Sequence, residues 1–190
     1  ARFVGTRAYE RAQSAPADVA QGFKRLMGTD SQLTLGAAGI TLTPEEASAE
    51  VLKTLVAQAR AAAGDFEILG AVVTIPAAFN QMQSEATIKA ARMAGLDRVG
   101  LIQEPVAAAM SALEGATRRD GRFLVYDLGG GTFDVALIDS RGGLVTVMAH
   151  EGVNMLGGRD FDRVILDSIV RPWLAANFSL PNNPQSDPAY

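Results

Sequence analysis

One run of residues concentrates most of the chemistry this chain could do: Asp127-Leu128-Gly129-Gly130-Gly131-Thr132-Phe133-Asp134. It follows one apolar stretch and leads directly into another, so it reads as the turn of a hairpin. Three consecutive glycines cost backbone entropy, and a stable fold keeps them where positive φ or close approach of the backbone is required. The N–H groups of such a turn, pointing one way, form a nest for phosphate oxygens. Thr132 adds a hydroxyl donor. Asp127 supplies a hard oxygen ligand for a hydrated Mg²⁺ that would neutralise those phosphates. No Gly-Lys-Ser/Thr follows and no helix begins after the turn, which excludes a P-loop. The glycine spacing is wrong for a dinucleotide fingerprint too, because Asp134 stands where a glycine would be needed. The competing reading is a glycine-rich hairpin of purely structural use.

Other residues carry weaker signals. Gly157-Gly158 at a helix start suits an anion, or else a tight turn. Glu104 before Pro105 reads as an acid satisfying free N–H groups at a helix start. Lys24, on an amphipathic segment, would by itself be a solvent-exposed lysine. His150, the single histidine, ends a strand and reads as structural.

The elements that must position these residues follow from pattern and punctuation. Ala1 to Thr6 look strand-like, and Pro16 to Met27 have a helical pattern with Val19, Phe23, Leu26 and Met27 on one face, stopped by Gly28. Residues Gly28 to Thr43 read as a loop with at most one short strand. Thr43-Pro44-Glu45-Glu46 is a helix start, with threonine as N-cap, proline at the first position and acids at the positive end. That helix should run to Ala63, where Gly64 ends it. Ala71 to Ile75 is a buried strand closed by Pro76. A helix over Gln81 to Met93, a strand over Val99 to Ile102 and an alanine-rich helix over Pro105 to Leu113 come next. Phe123 to Tyr126, Phe133 to Ile138 and Leu144 to His150 then predict three successive strands. From Gly157 a helix carries Phe161, Val164, Ile165, Ile169 and Val170 on its apolar side. The tail, Ser179 to Tyr190, should have no regular structure of its own. Strands alternating with helices indicate an α/β fold, with a second lobe opening after a boundary near Thr117 to Gly121.

Composition narrows the function classes. Across 190 residues, 48% are hydrophobic and 20% charged, the balance of an ordinary globular protein. The net charge of -4 leaves no basic field to recruit nucleic acid or an anionic membrane. With no cysteine, disulfides, thiolate metal sites and a cysteine nucleophile are all excluded, which fits a cytoplasmic location. No apolar run reaches the length of a membrane span.

Several further motifs occur in order with the glycine run: Ala71-Val72-Val73-Thr74-Ile75-Pro76-Ala77-Ala78-Phe79-Asn80, Ala94-Gly95-Leu96, Gln103-Glu104-Pro105-Val106-Ala107-Ala108-Ala109 and Leu156-Gly157-Gly158-Arg159-Asp160-Phe161-Asp162. Together with Val4-Gly5, Lys24-Arg25-Leu26-Met27-Gly28 and Leu42-Thr43-Pro44-Glu45-Glu46, they resemble the nucleotide-binding domain of the DnaK-type heat-shock chaperone family over about residues 4 to 175. The resemblance implies an actin-like ATPase (ribonuclease H-like) fold, here partial. Residues 1–120 would be part of the first lobe, with a short outer subdomain at about 28–70. Residues 121–178 would begin the second lobe, and 179–190 would form an irregular tail.

It also implies roles. Lys24 would position the attacking water and contact the γ-phosphate of ATP. Glu104 would sit near the water shell of Mg, and Asp127 would orient metal-bound water or act as a weak base. Thr132 with Gly129, Gly130 and Gly131 would hold the β- and γ-phosphates, Gly157 and Gly158 would line the phosphate site, and ATP or ADP with Mg would be the ligand. In the parent protein, partners would be unfolded peptide clients with J-domain and nucleotide-exchange cochaperones.

The departures from the family pattern shape the expectation. Its first phosphate loop should precede residue 1, and its adenosine-gripping helices should follow residue 190. The chain therefore reads as truncated at both ends, with adenine specificity lost and hydrolysis weak or nil. Pro76 matches the family's switch proline, but the arginine expected eight residues on is Ser84. That puts relay of nucleotide state to a peptide-binding domain in doubt. Surface normally buried between lobes would be uncovered, so a homo-dimer is a side expectation. Two alternatives stay open: a small-molecule kinase of the actin-like superfamily, and a catalytically inactive fragment.

Overall fold

The computed structural model describes residues 2–36, 39–115 and 119–179. Residues 2–4, expected to be strand-like, have no regular structure, and helix α1 (Thr6–Ser14) follows them. The expected helix over residues 16–27 is instead two 3₁₀ turns, Pro16–Asp18 and Phe23–Leu26. The physical reason lies in Gly22, whose φ of 68° breaks any continuous helix between them. Two short strands, β1 (Leu33–Leu35) and β2 (Ile40–Leu42), form an antiparallel pair within the segment read as a loop.

Helix α2 (Pro44–Ala63) begins as the sequence dictates. Thr43 Oγ1 accepts from the Glu46 N–H at 3.2 Å, and Glu46 Oε2 accepts from the Thr43 N–H at 2.8 Å. This reciprocal capping box satisfies two otherwise orphaned donors. Strands β3 (Ala71–Ile75) and β4 (Val99–Gln103) pair in parallel, joined by the crossover helix α3 (Gln81–Met93). A second capping box, Asn80 with Gln83, starts α3. Ala86 and Ala90 of α3 are buried against Met27, with Leu52 and Phe79 completing that core.

Helix α4 (Glu104–Leu113) leaves β4 without a loop and crosses to the next sheet. That sheet is an antiparallel meander of β5 (Gly121–Leu128), β6 (Phe133–Arg141) and β7 (Leu144–Val153). Strand β6 is central, and its alternate residues Asp134, Ala136, Ile138 and Ser140 are buried, as is Thr132 just before it. Ala109 of α4 packs on Ala136 and Ile138, with Phe123, Val125, Val145 and Val147 around them. Burying this face is what holds α4 across the meander. The opposite face of β5, with Leu124 and Tyr126, is exposed.

A final helical run comprises α5 (Gly158–Ile165), one wide π turn (Leu166–Val170) and α6 (Arg171–Asn177). Phe161, Val164, Ile165, Ile169 and Val170, expected on a buried side, are all exposed. Among the described residues the fold is mixed α/β with three small sheets. Part of the expected boundary, Thr117 and Arg118, and the tail from residue 180 onward lie outside the described residues.

Candidate functional site

The glycine run is a hairpin turn between β5 and β6, closed by the Gly129 N–H donating to the Thr132 carbonyl at 3.0 Å. None of its three glycines has positive φ, so a left-handed turn is not what demands them. Close approach demands a glycine at position 157, while an added Cβ at Gly129 or Gly130 would meet nothing nearer than 3.6 Å. Gly157 lies so near the turn that an added Cβ would overlap the backbone of Gly130 and Gly131. The Gly158 N–H donates to the Gly129 carbonyl at 3.0 Å and the Arg159 N–H to the Gly130 carbonyl at 3.2 Å. Gly157 and Gly158 therefore stand under the turn and brace it with the first N–H groups of α5. Above Gly130 the space is open, and a Cβ there would meet nothing within 4 Å.

The second wall comes from the 3₁₀ turn at Phe23–Leu26, which sends two cations to different partners. Lys24 Nζ donates to Glu104 Oε1 at 2.8 Å, joining this turn to the start of α4. Arg25 Nε donates to the Gly131 carbonyl at 2.7 Å, and its two terminal nitrogens grip the Asp160 carboxylate. Such a bidentate fork fixes orientation as well as distance. The Asp160 carboxylate also accepts from the Gly157 N–H at 2.8 Å. The Arg25 guanidinium accordingly holds the Asp160 carboxyl below the usual carboxylate range. One arginine thus ties the hairpin, the start of α5 and the Lys24 turn together.

Strand register places the carboxylates. Asp127 and Asp134 are direct cross-strand partners, so both lie on the sheet face that α4 covers. Asp127 is half-buried, while Asp134 is only 2% exposed. Burial pushes the Asp134 carboxyl above its ordinary range, and the neighbouring Asp127 charge pushes the same way. The Ala78 backbone N–H, Lys24 and His150 oppose them. Thr132 is buried at the end of the turn.

Among the described residues, no group of three or more His, Cys, Asp or Glu side chains converges to enclose a metal ion directly. The donor set fits a cation held through water: two hard carboxylates sit opposite each other, and Asp134 Oδ1 is buried without a partner. Of the residues singled out in the sequence, the fold gathers Lys24 with Glu104, and the hairpin with Gly157 and Gly158. His150 lies exposed on β7.

Comparison with known families settles the chain's ancestry. A model of the Hsp70 protein family matches residues 1–178. The chain belongs to the Hsp70 family. In this Hsp70 chain the matched span includes every candidate residue above. Sequence reasoning assigned no role to two residues that the structure places beside the glycine turn, Arg25 and Asp134. Arg25 gave no signal beyond its place beside Lys24. Asp134 did give one, since strand alternation from Thr132 places it on the buried face.

Proposed function

We propose that this chain is part of the ATP-binding domain of an Hsp70 chaperone, with an actin-like two-lobed architecture. Residues up to about 120 would contribute to one lobe, and residues from about 121 to the other. The observation that carries this reading is that Arg25 and the start of α5 both bond to one glycine turn, while Lys24, next to Arg25 in the chain, pairs with Glu104. The open space above Gly130 is where phosphate oxygens fit. Lys24, freed from part of its pairing with Glu104, reaches the terminal phosphate. Thr132 and the N–H groups of Gly130 and Gly131 hold the phosphate oxygens. Asp127 would hold Mg²⁺ through water, and Mg²⁺ when bound would neutralise phosphate charge. Phosphoryl transfer depends chiefly on positioning and charge stabilisation, which this set supplies without covalent catalysis. Gly157 and Gly158 serve the site by supporting the turn. In the parent protein the hydrolysis of MgATP would drive binding and release of peptide clients.

Phosphorus resonance spectra of MgADP titrated with the chain test the reading. Broadening of the β-phosphate line in excess of the α-phosphate line is the expected result. Unchanged lines at millimolar protein would remove the phosphate site from the account. Phosphate transfer to a panel of sugars by the parent protein would favour a small-molecule kinase instead.

A further inference from the structure

Two consecutive residues of α5 reach both ends of the turn that carries Lys24. Arg159 takes the N-terminal end, where its Nη2 donates to Gln21 Oε1 at 3.3 Å. Its Nη1 stands where a Cβ on Gly22 would be, so the guanidinium fills the space a side chain there would occupy. Asp160 takes the C-terminal end through the fork from Arg25. A helix turns by about 100° per residue, so these neighbouring side chains diverge enough to straddle the turn. Both residues are themselves anchored. The Arg159 N–H donates to the Gly130 carbonyl at 3.2 Å, and the Asp160 carboxylate accepts from the Gly157 N–H at 2.8 Å.

Between the two contacts lies Lys24. Gly22 has a left-handed φ of 68°, and its carbonyl accepts from the Arg25 N–H at 3.2 Å, the bond that opens the turn. The Lys24 side chain is 49% exposed, so packing does not aim it. Its direction toward Glu104 is set by its backbone, and α5 holds that backbone on either side. One exposed contact of the Arg159 kind adds little to folding stability, so its effect should fall on position instead.

We propose that Arg159 and Asp160 are positioning residues that clasp the Phe23–Leu26 turn from both sides and keep Lys24 aimed at Glu104. What that aim serves rests on the phosphate reading above; the clasp itself does not. The carboxyl carbon resonance of Glu104 in the ligand-free chain reports the pair, and Lys24→Ala gives its unpaired position. Arg159→Ala should move the resonance part of the way toward that position, with no change in the unfolding midpoint. Amide exchange at Arg25 should rise about threefold in the same variant. Arg159→Lys, which keeps a donor, should undo part of both changes. Gln21→Glu adds a charge facing Arg159 and should slow Arg25 exchange. Asp160→Asn should move the Glu104 resonance further, because it weakens a charge-assisted fork. An Arg159→Ala chain in which either the Glu104 resonance or the Arg25 exchange rate stays unchanged overturns the clasp. So does an equal rise in exchange at Leu137, which would mark general loosening. Arg159 is exposed, so this test stands even if Asp160→Asn does not fold.

Calorimetry then tests what the aim serves. With Lys24 on the terminal phosphate, Arg159→Ala should weaken MgATP binding about threefold and MgADP binding less. Equal MgATP affinity in parent and variant, with the Glu104 resonance moved, would overturn that role of Lys24 and leave the clasp intact. No binding by the parent chain would sink the phosphate reading, while the ligand-free measurements still decide the clasp.

Discussion

Two helical segments flank the glycine hairpin, and they bury themselves to very different degrees. Helix α4 lays Ala109 on Ala136 and Ile138, both fully buried, and closes one face of the meander. The run from α5 to α6 is docked at its first residues alone, and its apolar side chains stand exposed, Ile169 at 63% and Trp173 at 58%. Both segments have apolar positions that sequence reading assigns to packing. The contrast teaches that an amphipathic pattern records the need for a partner without naming it. It also separates two ways of serving a site. Helix α4 holds Glu104 by core burial, whereas α5 supports the turn by hydrogen bonds at its first residues.

The widest separation should appear in stability. Ile138→Ala opens a cavity in the buried core and should cost about 2–5 kcal/mol in chemical denaturation. Ile169→Ala, on the exposed run, should stay within about 0.5 kcal/mol of the parent chain. Equal losses at the two positions would erase the contrast.

Gly157→Ala probes the joint itself. The added methyl must displace the backbone of Gly130 and Gly131, and overpacking of this kind costs about 1–3 kcal/mol. Thermal unfolding should show this loss, with α5 amides exchanging faster than those of α4. A variant as stable as the parent would mean that the close approach supports nothing.

A capped helix whose partner is present gives the calibration. Thr43→Ala removes the acceptor for the Glu46 N–H and should cost about 1 kcal/mol by denaturant titration. No measurable change would indicate that α2 is held by its contacts with α3 alone.

The smallest effect concerns pH. Arg25 depresses the Asp160 carboxyl, so its contribution is complete above the ordinary aspartate range and fades as pH falls through the lower folded value. Melting curves from neutral to acidic pH should show an acid-side loss of stability that is smaller in Asp160→Asn. An identical profile in that variant would remove the Arg25 fork from the joint.

How much was legible in the residues follows the same division. The helices at Gln81–Met93 and Pro44–Ala63 and the strand at Ala71–Ile75 were readable because caps, prolines and glycines mark their ends. The N-terminal region was not: Gly5, which precedes α1 with φ 74°, lies inside a stretch that reads as strand-like, and Gly22 sits inside an apolar spacing that otherwise looks helical. The hairpin's location was readable, but not the residue that packs against it: Gly157 is more than twenty residues on in the sequence and adjacent only in the fold. Arg25 stayed hidden for a similar reason, because its partners Gly131 and Asp160 are remote in sequence.

The most direct test of the account is calorimetric titration of the chain with MgADP and MgATP beside an Asp127→Ala variant. The account predicts saturable binding in the parent chain that is lost in the variant. Binding of equal strength in both would contradict it, because the carboxylate opposite Asp134 would then have no part in holding the nucleotide.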